Sequence, residues 1–340
     1  MPKHYTSIRN FSRDDIIELI KSAKNIKKKP SAYQSQLNNK IIATLFFEPS
    51  TRTRLSFESA SLRLGARVLG FSDANTTSTK KGETLEDTIK IVSGFADCII
   101  MRHPETGAAA RAATVSAVPI INAGDGSGEH PTQALLDVFT ICETKPEKFA
   151  EQSQYVIARS EATKQSLAMN ANQKSVKRGS NSSSEQIKIA FVGDLKFGRT
   201  VHSLSQALAH FNASFHFISP PSLKMPREII DQLRQNEVEI YEAENWNHIA
   251  RTIDVLYMTR VQAERFTNSQ EYERLKLSYI LNTETAALFG SNCLFMHPLP
   301  RVGEIDPALD ADPRALYFQE AHNGVWMRMA LLLRIFDKEA

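Results

Sequence analysis

The chain has 340 residues, 42% of them hydrophobic, enough for two cores of ordinary domain size. No apolar run reaches the roughly 18 residues of a bilayer span, and the polar start at Lys3, His4 and Arg9 leads into no secretory segment, so a soluble cytoplasmic protein with no membrane contact is expected. The net charge of +3 lies in residues 154–185, where Arg159, Lys164, Lys174, Lys177 and Arg178 face only Glu161 and Glu185, which argues against a folded basic face for nucleic acid.

In chain order, Ile41 to Phe47 reads as a short strand, and Ser50 to Leu64 as a helix with Leu55, Leu62 and Ala66 on one side. Cys98 to Met101 and Val118 to Ile121 are further strand candidates, each ending at a polar edge: Arg102 and His103, then Asn122 to His130. Pro131 to Glu143 reads as a helix joining two halves. The second half offers strands at Ile187 to Val192, Phe215 to Ile218, Val255 to Met258 and Cys293 to Met296. Helices are expected at Arg199 to Phe211, Pro226 to Asn236 and Gly324 to Phe336. This alternation predicts an α/β protein of two domains, each with a mostly parallel central sheet flanked by helices. Strand ends then converge on a ligand crevice. Residues 154–185, with seven Ser and three Asn, read as a polar insertion containing a short helix near Glu161 to Met169 and a loop at Gly179 to Ser184.

Ser50, Thr51, Arg52, Thr53 and Arg54 follow an apolar strand and open a helix, where unpaired N–H groups meet hydroxyls and guanidinium groups. That is chemistry for a phosphate, without the glycine spacing or the Lys-Ser or Lys-Thr ending of a nucleotide-binding loop. His130, after the turn at Gly124 to Gly128, suits a donor to a polarised carbonyl better than a metal ligand. Cys98, Cys142 and Cys293 are odd in number and far apart, so neither a disulfide framework nor a Cys-rich zinc site is expected, and no pattern completes a metal set around His130; no cofactor is expected. Gly193 to Thr200 lacks the dinucleotide glycine spacing, so Arg199 and Arg260 read as carboxylate clamps through their planar forks. Gln262 shares a face with Arg260 on extended backbone. His297, Pro298, Leu299, Pro300 and Arg301 form a rigid loop able to aim a carbonyl at a substrate amide.

Six stretches in order carry a resemblance over nearly the whole chain: Ser50 to Arg54, Arg102-His103-Pro104, His130 to Gln133, Gly198-Arg199-Thr200, Thr259 to Gln262 and His297 to Arg301. Together they resemble the catalytic chains of aspartate carbamoyltransferases, within the aspartate/ornithine carbamoyltransferase superfamily. The first is shared with ornithine carbamoyltransferases; Arg260, Gln262, Leu299 and Pro300 favour the aspartate branch. The resemblance implies carbamoyl transfer from carbamoyl phosphate to L-aspartate in pyrimidine biosynthesis. It implies residues 1–134 as the carbamoyl phosphate domain, with a helix in 322–340 packing back on it, and 135–321 as the aspartate domain.

By the same resemblance Ser50, Thr51, Arg52, Thr53 and Arg102 hold phosphate, and Thr53, Arg102 and His130 polarise the carbamoyl carbonyl. Gln133 and the carbonyls of Leu299 and Pro300 hold its amide; Arg199, Arg260 and Gln262 hold aspartate; Glu48 ties the domains through Arg199 and Arg260 on closure. Thr77, where many relatives have Ser, and Lys81 match a loop that enters the neighbouring subunit's site, Lys81 acting there in catalysis and in holding aspartate. A homotrimer with shared sites follows, with or without zinc-containing regulatory chains. Two other readings remain: transfer to an amino acid such as ornithine, and an inactive binding or assembly protein.

Overall fold

The computed structural model describes residues 3–73, 77, 81–150, 186–262, 266 and 268–337. The polar insertion expected at 154–185, with its short helix and loop, lies outside the described residues, as do Ser78 to Lys80. Among the described residues no helix is long and apolar enough to cross a membrane.

The first half places helix α1 (Arg13–Lys28) before strand β1 (Ile41–Phe46), then α2 (Thr51–Arg63), β2 (Arg67–Phe71), α3 (Leu85–Val92), β3 (Cys98–His103), α4 (Ala108–Val115) and β4 (Ile120–Asp125). Its four strands run parallel in the order β2-β1-β3-β4. Helix α5 (Pro131–Thr144) and the short α6 (Glu147–Ala150) follow. The second half contains β5 (Ile187–Val192), α7 (Arg199–Leu208), β6 (Ala213–Ile218), α8 (Arg227–Gln235), β7 (Glu239–Ala243), β8 (Val255–Met258), α9 (Ser269–Leu275), α10 (Thr283–Ala286), β9 (Leu294–Met296) and α11 (Tyr317–Phe336). Its sheet is also parallel, in the order β7-β6-β5-β8-β9.

Burial explains these elements. β5 and β8 are almost wholly buried, as central strands of a parallel sheet covered on both faces must be. The edge strands β2 and β7 are largely exposed and carry Arg67, Glu239 and Glu242, polar residues that blunt an open edge. Helix α5 is buried from Pro131 to Cys142 and packs on α7 and α11, while α11 also packs on α1 and α2. One apolar cluster therefore runs from Ile42 and Ile100 in the first sheet to Ile189 and Phe191 in the second.

Two expectations are corrected. Leu55 and Leu62 are 51% and 63% exposed; Phe57, Ala60 and Leu64 supply the buried stripe of α2, because their spacing, rather than that of the leucines, faces α11 and β1. The last helix starts at Tyr317 instead of Gly324. Gly324 lies inside it, where a glycine fits because a Cβ would press on Arg328 Nη1, on Leu136 and on Ser56.

Candidate active site

One cavity of about 370 Å³ collects residues from both halves. Glu48, Ser50, Thr51, Arg52, Thr53, Arg102, His130 and Gln133 line it from the first half and the joining helix; Arg199, Arg260, Gln262, Leu299 and Pro300 line it from the second. Every residue assigned from the sequence to a site in its own chain is thus brought together. Thr77 and Lys81 are not among the lining residues, and Lys81 is exposed.

Three helix N-termini meet here. Ser50, His130 and Gly198 are the N-caps of α2, α5 and α7, and no side chain caps any of the three. Uncapped N–H groups and the positive ends of the helix dipoles favour anions at this point. Five guanidinium groups, those of Arg52, Arg102, Arg199, Arg260 and Arg328, line the same cavity. A low-dielectric cleft with this charge focuses its field on an incoming anion.

Glu48 organises part of that charge. Its Oε2 lies 3.0 Å from Arg102 Nε and 3.4 Å from Arg199 Nη2, so one carboxylate joins a strand end in the first half to a helix start in the second. Arg102 is thus a partner of Glu48 beside Arg199, where the resemblance implies Arg260 on closure. Arg199 Nη1 also donates to the carbonyl of Gly126 at 2.6 Å. Gly124, at φ +115°, permits this crowding: a Cβ would come within 3.1 Å of Arg102 Nη1 and 3.4 Å of His130 Cδ2.

Burial, reinforced by repulsion from Arg199, pulls the Arg102 guanidinium down to about 10, still charged at neutral pH. Arg52 is lowered by burial and then by Arg260. His130 is 4% exposed, and burial together with Arg102, Arg199, Arg328 and Arg52 holds it well below the usual imidazole range. It is a neutral imidazole at pH 7. Its Nε2 sits 3.5 Å from Thr53 Oγ1, while Nδ1 is buried without a hydrogen-bond partner.

In the second half Gln262 Nε2 donates to the Phe197 carbonyl at 3.0 Å, fixing the Arg260 segment against the turn before α7. The His297 ring sets the following loop: Nδ1 accepts from Leu299 N–H at 2.8 Å, so Nε2 carries the proton it shares with Glu304 at 2.7 Å. Leu299 has φ +55° and is followed by a cis bond to Pro300.

Three residues stand outside the sequence expectation: Glu320 and Arg328, which line the cavity, and Asp137, buried behind it against Gln133. Arg328 Nη1 donates to Ser56 Oγ at 2.7 Å, and its guanidinium lies over the Phe57 ring at 4.9 Å. The signal that could have found two of them is a charge inside otherwise apolar helical runs, Asp137 between Leu136 and Val138 and Arg328 between Met327 and Met329; Glu320, beside Gln319 and His322, carries none. Among the described residues no group of three or more His, Cys, Asp or Glu could hold a metal ion.

The arrangement can bind two anions side by side, polarise a carbonyl between them with neutral His130 and charged Arg102, and offer carbonyl oxygens to an amide. Residues 3–143 match the family model of the aspartate/ornithine carbamoyltransferase carbamoyl-P binding domain, and residues 185–335 match that of the Asp/Orn binding domain. The chain belongs to the aspartate/ornithine carbamoyltransferase family. It is 45% identical over 327 residues to the aspartate carbamoyltransferase catalytic subunit of Bacteroides fragilis, covering 96% of this chain and 94% of that protein. The corresponding Thermococcus kodakarensis subunit is 44% identical, covering 96% and 94%. Among solved structures, the catalytic subunit of M. jannaschii aspartate transcarbamoylase is similar with a TM-score of 0.80 and 42% identity, covering 99% of each chain. The Trypanosoma cruzi enzyme in complex with carbamoyl phosphate is similar with a TM-score of 0.82 and 36% identity, covering 98% of this chain and 95% of that one.

Proposed function

We propose that this carbamoyltransferase moves the carbamoyl group of carbamoyl phosphate to the amine of L-aspartate, giving N-carbamoyl-L-aspartate and phosphate for pyrimidine biosynthesis. The observation that carries the reading is one cavity lined together by the Ser50 to Arg52 helix start, Arg199, Arg260 and neutral His130. Ser50, Thr51, Arg52, Thr53 and Arg102 hold the phosphate; Arg199, Arg260 and Gln262 hold the two carboxylates of aspartate. Thr53, Arg102 and His130 donate to the carbamoyl oxygen, and Gln133, Leu299 and Pro300 accept from its amide.

The neutral amine attacks the carbamoyl carbon, negative charge gathers on the carbamoyl oxygen, and the bond to the phosphate oxygen breaks. The departing phosphate takes the amine proton. No side chain serves as nucleophile; positioning and preorganised charge lower the barrier. Neutral His130 fits this role because it donates a hydrogen bond without adding a sixth positive charge to the site.

The same proposal makes residues 1–134 the carbamoyl phosphate domain and 135–321 the aspartate domain, with α11 returning to the first through α1 and α2. It includes a homotrimer in which Thr77 and Lys81, which do not line their own chain's cavity, reach a neighbour's site. Cytoplasmic residence accords with three free, buried cysteines. The test is equimolar release of carbamoyl-aspartate and phosphate by the purified protein; phosphate without carbamoyl-aspartate would mean hydrolysis instead.

A further inference from the structure

Where Glu320 on α11 lines the cavity it meets Asp137 on α5, buried behind; the two are 1% and 0% exposed and hydrogen-bonded to each other. We infer that Asp137 and Glu320 act as one acid pair that orients the acceptors selecting a carbamoyl group over an acyl group without N–H. The inference rests on the proposed role of Gln133 toward the carbamoyl amide.

Gln133 Nε2 donates to Asp137 Oδ1 at 2.8 Å and lies 3.4 Å from Glu320 Oε1. Its amide hydrogens are thereby committed to the acids, and Oε1 is left as the acceptor at the cavity. Glu320 Oε2 accepts from His297 N–H at 3.0 Å, and His297 in turn holds Leu299 N–H. One buried acid therefore steadies both acceptors proposed for the carbamoyl NH₂: the Gln133 side chain and the Leu299 carbonyl. Tyr257 closes the far side by donating to Asp137 Oδ2 at 2.9 Å.

The protonation of the pair fits this work. Burial pushes Asp137 up to about 7, and burial plus the adjacent Asp137 charge pushes Glu320 well above the usual carboxyl range. The two raised carboxyls hold one proton between them, so the pair offers a donor and acceptors at once, as a glutamine beside a carboxylate would. An acetyl group has the size of a carbamoyl group but no N–H, and it leaves Gln133 Oε1 unpaired.

The experiment compares KM for carbamoyl phosphate with Ki for acetyl phosphate in wild type, Glu320→Met, Glu320→Gln and Asp137→Asn. Glu320→Met should erode the preference for carbamoyl over acetyl phosphate by about tenfold, the loss of roughly one hydrogen bond. Glu320→Gln should restore most of it. Asp137→Asn, isosteric but with one acceptor turned into a donor, should erode it too and carries the test should Glu320→Met not fold. Equal weakening of both phosphates, or a Glu320→Gln variant as unselective as Glu320→Met, overturns the inference. Wild-type turnover is read first: its absence counts against the proposed function, whereas an active wild type with an unresponsive preference counts against the acid pair alone.

Discussion

Arg52 Nη2 donates a 2.6 Å hydrogen bond to the carbonyl oxygen of Leu299, joining residues 247 positions apart. A residue proposed to hold phosphate is thereby oriented by the loop proposed to hold the carbamoyl amide. The carbonyl has two lone pairs, so Leu299 can accept from Arg52 and from a substrate N–H together. Arg52→Ala removes a charged donor from the developing phosphate and loosens that loop. Steady-state kinetics should show kcat lowered by about 10²–10³, the range for losing one preorganised donor; near-normal kcat removes Arg52 from the reaction centre.

Glu48 bears on the second substrate. Glu48→Gln keeps the shape but weakens the link between Arg102 and Arg199, so the aspartate clamp loses its orientation. Phosphate attraction rises as a negative charge disappears, offsetting the disorder at Arg102. The expected result is kcat/KM for aspartate lowered about tenfold, near 1.4 kcal/mol, with KM for carbamoyl phosphate little changed. A larger effect on carbamoyl phosphate than on aspartate contradicts this division of labour.

His130 and the acid pair give opposite pH signatures. The folded protein holds His130 neutral, while the unfolded chain protonates it below about 6.5. Its contribution to stability is therefore present above that pH and lost as pH falls. Histidine ring NMR should show no His130 titration step near 6.5; a step there means the imidazole is charged in the working range.

For Asp137 and Glu320 the sign reverses. Their folded values are raised, so the folded state binds more protons, and stability from the pair is full below the unfolded carboxyl range and lost as pH rises toward about 7 for Asp137. Glu320→Gln removes one titrating member. Thermal melts should therefore show Glu320→Gln gaining on wild type between about pH 5 and pH 8, by on the order of 1 kcal/mol or more; parallel curves contradict the assignment.

The parts legible in the sequence are those where burial is continuous. The apolar runs at β1, β3, β5 and β8 mark central parallel strands, and their polar ends mark the cavity. Edge strands β2 and β7 are illegible because exposed strands carry Arg67, Gly70, Glu239 and Glu242, which weaken any apolar signal. The buried face of α2 departs from expectation because its leucines are the larger apolar residues, yet the Phe57, Ala60 and Leu64 spacing is what meets α11 and β1. Asp137, Glu320 and Arg328 lie within helices, and only the packing of α5 against α11 brings Glu320 and Arg328 to the cavity wall and Asp137 behind it.

The ends of the polar insertion also bear on design. Lys148 Nζ donates to the Gln186 carbonyl at 3.4 Å, so the chain before residue 151 and after residue 185 comes together. Replacing residues 154–185 with a brief polar linker should leave turnover and subunit assembly largely intact, as mass measurement and kinetics would report. Loss of assembly with retained folding assigns the segment an interface role.

The central claim is the identity of the acceptor. The purified protein is given carbamoyl phosphate with L-aspartate or L-ornithine in parallel, and the carbamoyl amino acid is quantified in each. The two arginines that face the phosphate half predict N-carbamoyl-L-aspartate from the first mixture and no citrulline above background from the second. Citrulline from ornithine, with no carbamoyl-aspartate from folded protein, would contradict the reading of Arg199 and Arg260 as a clamp for two carboxylates.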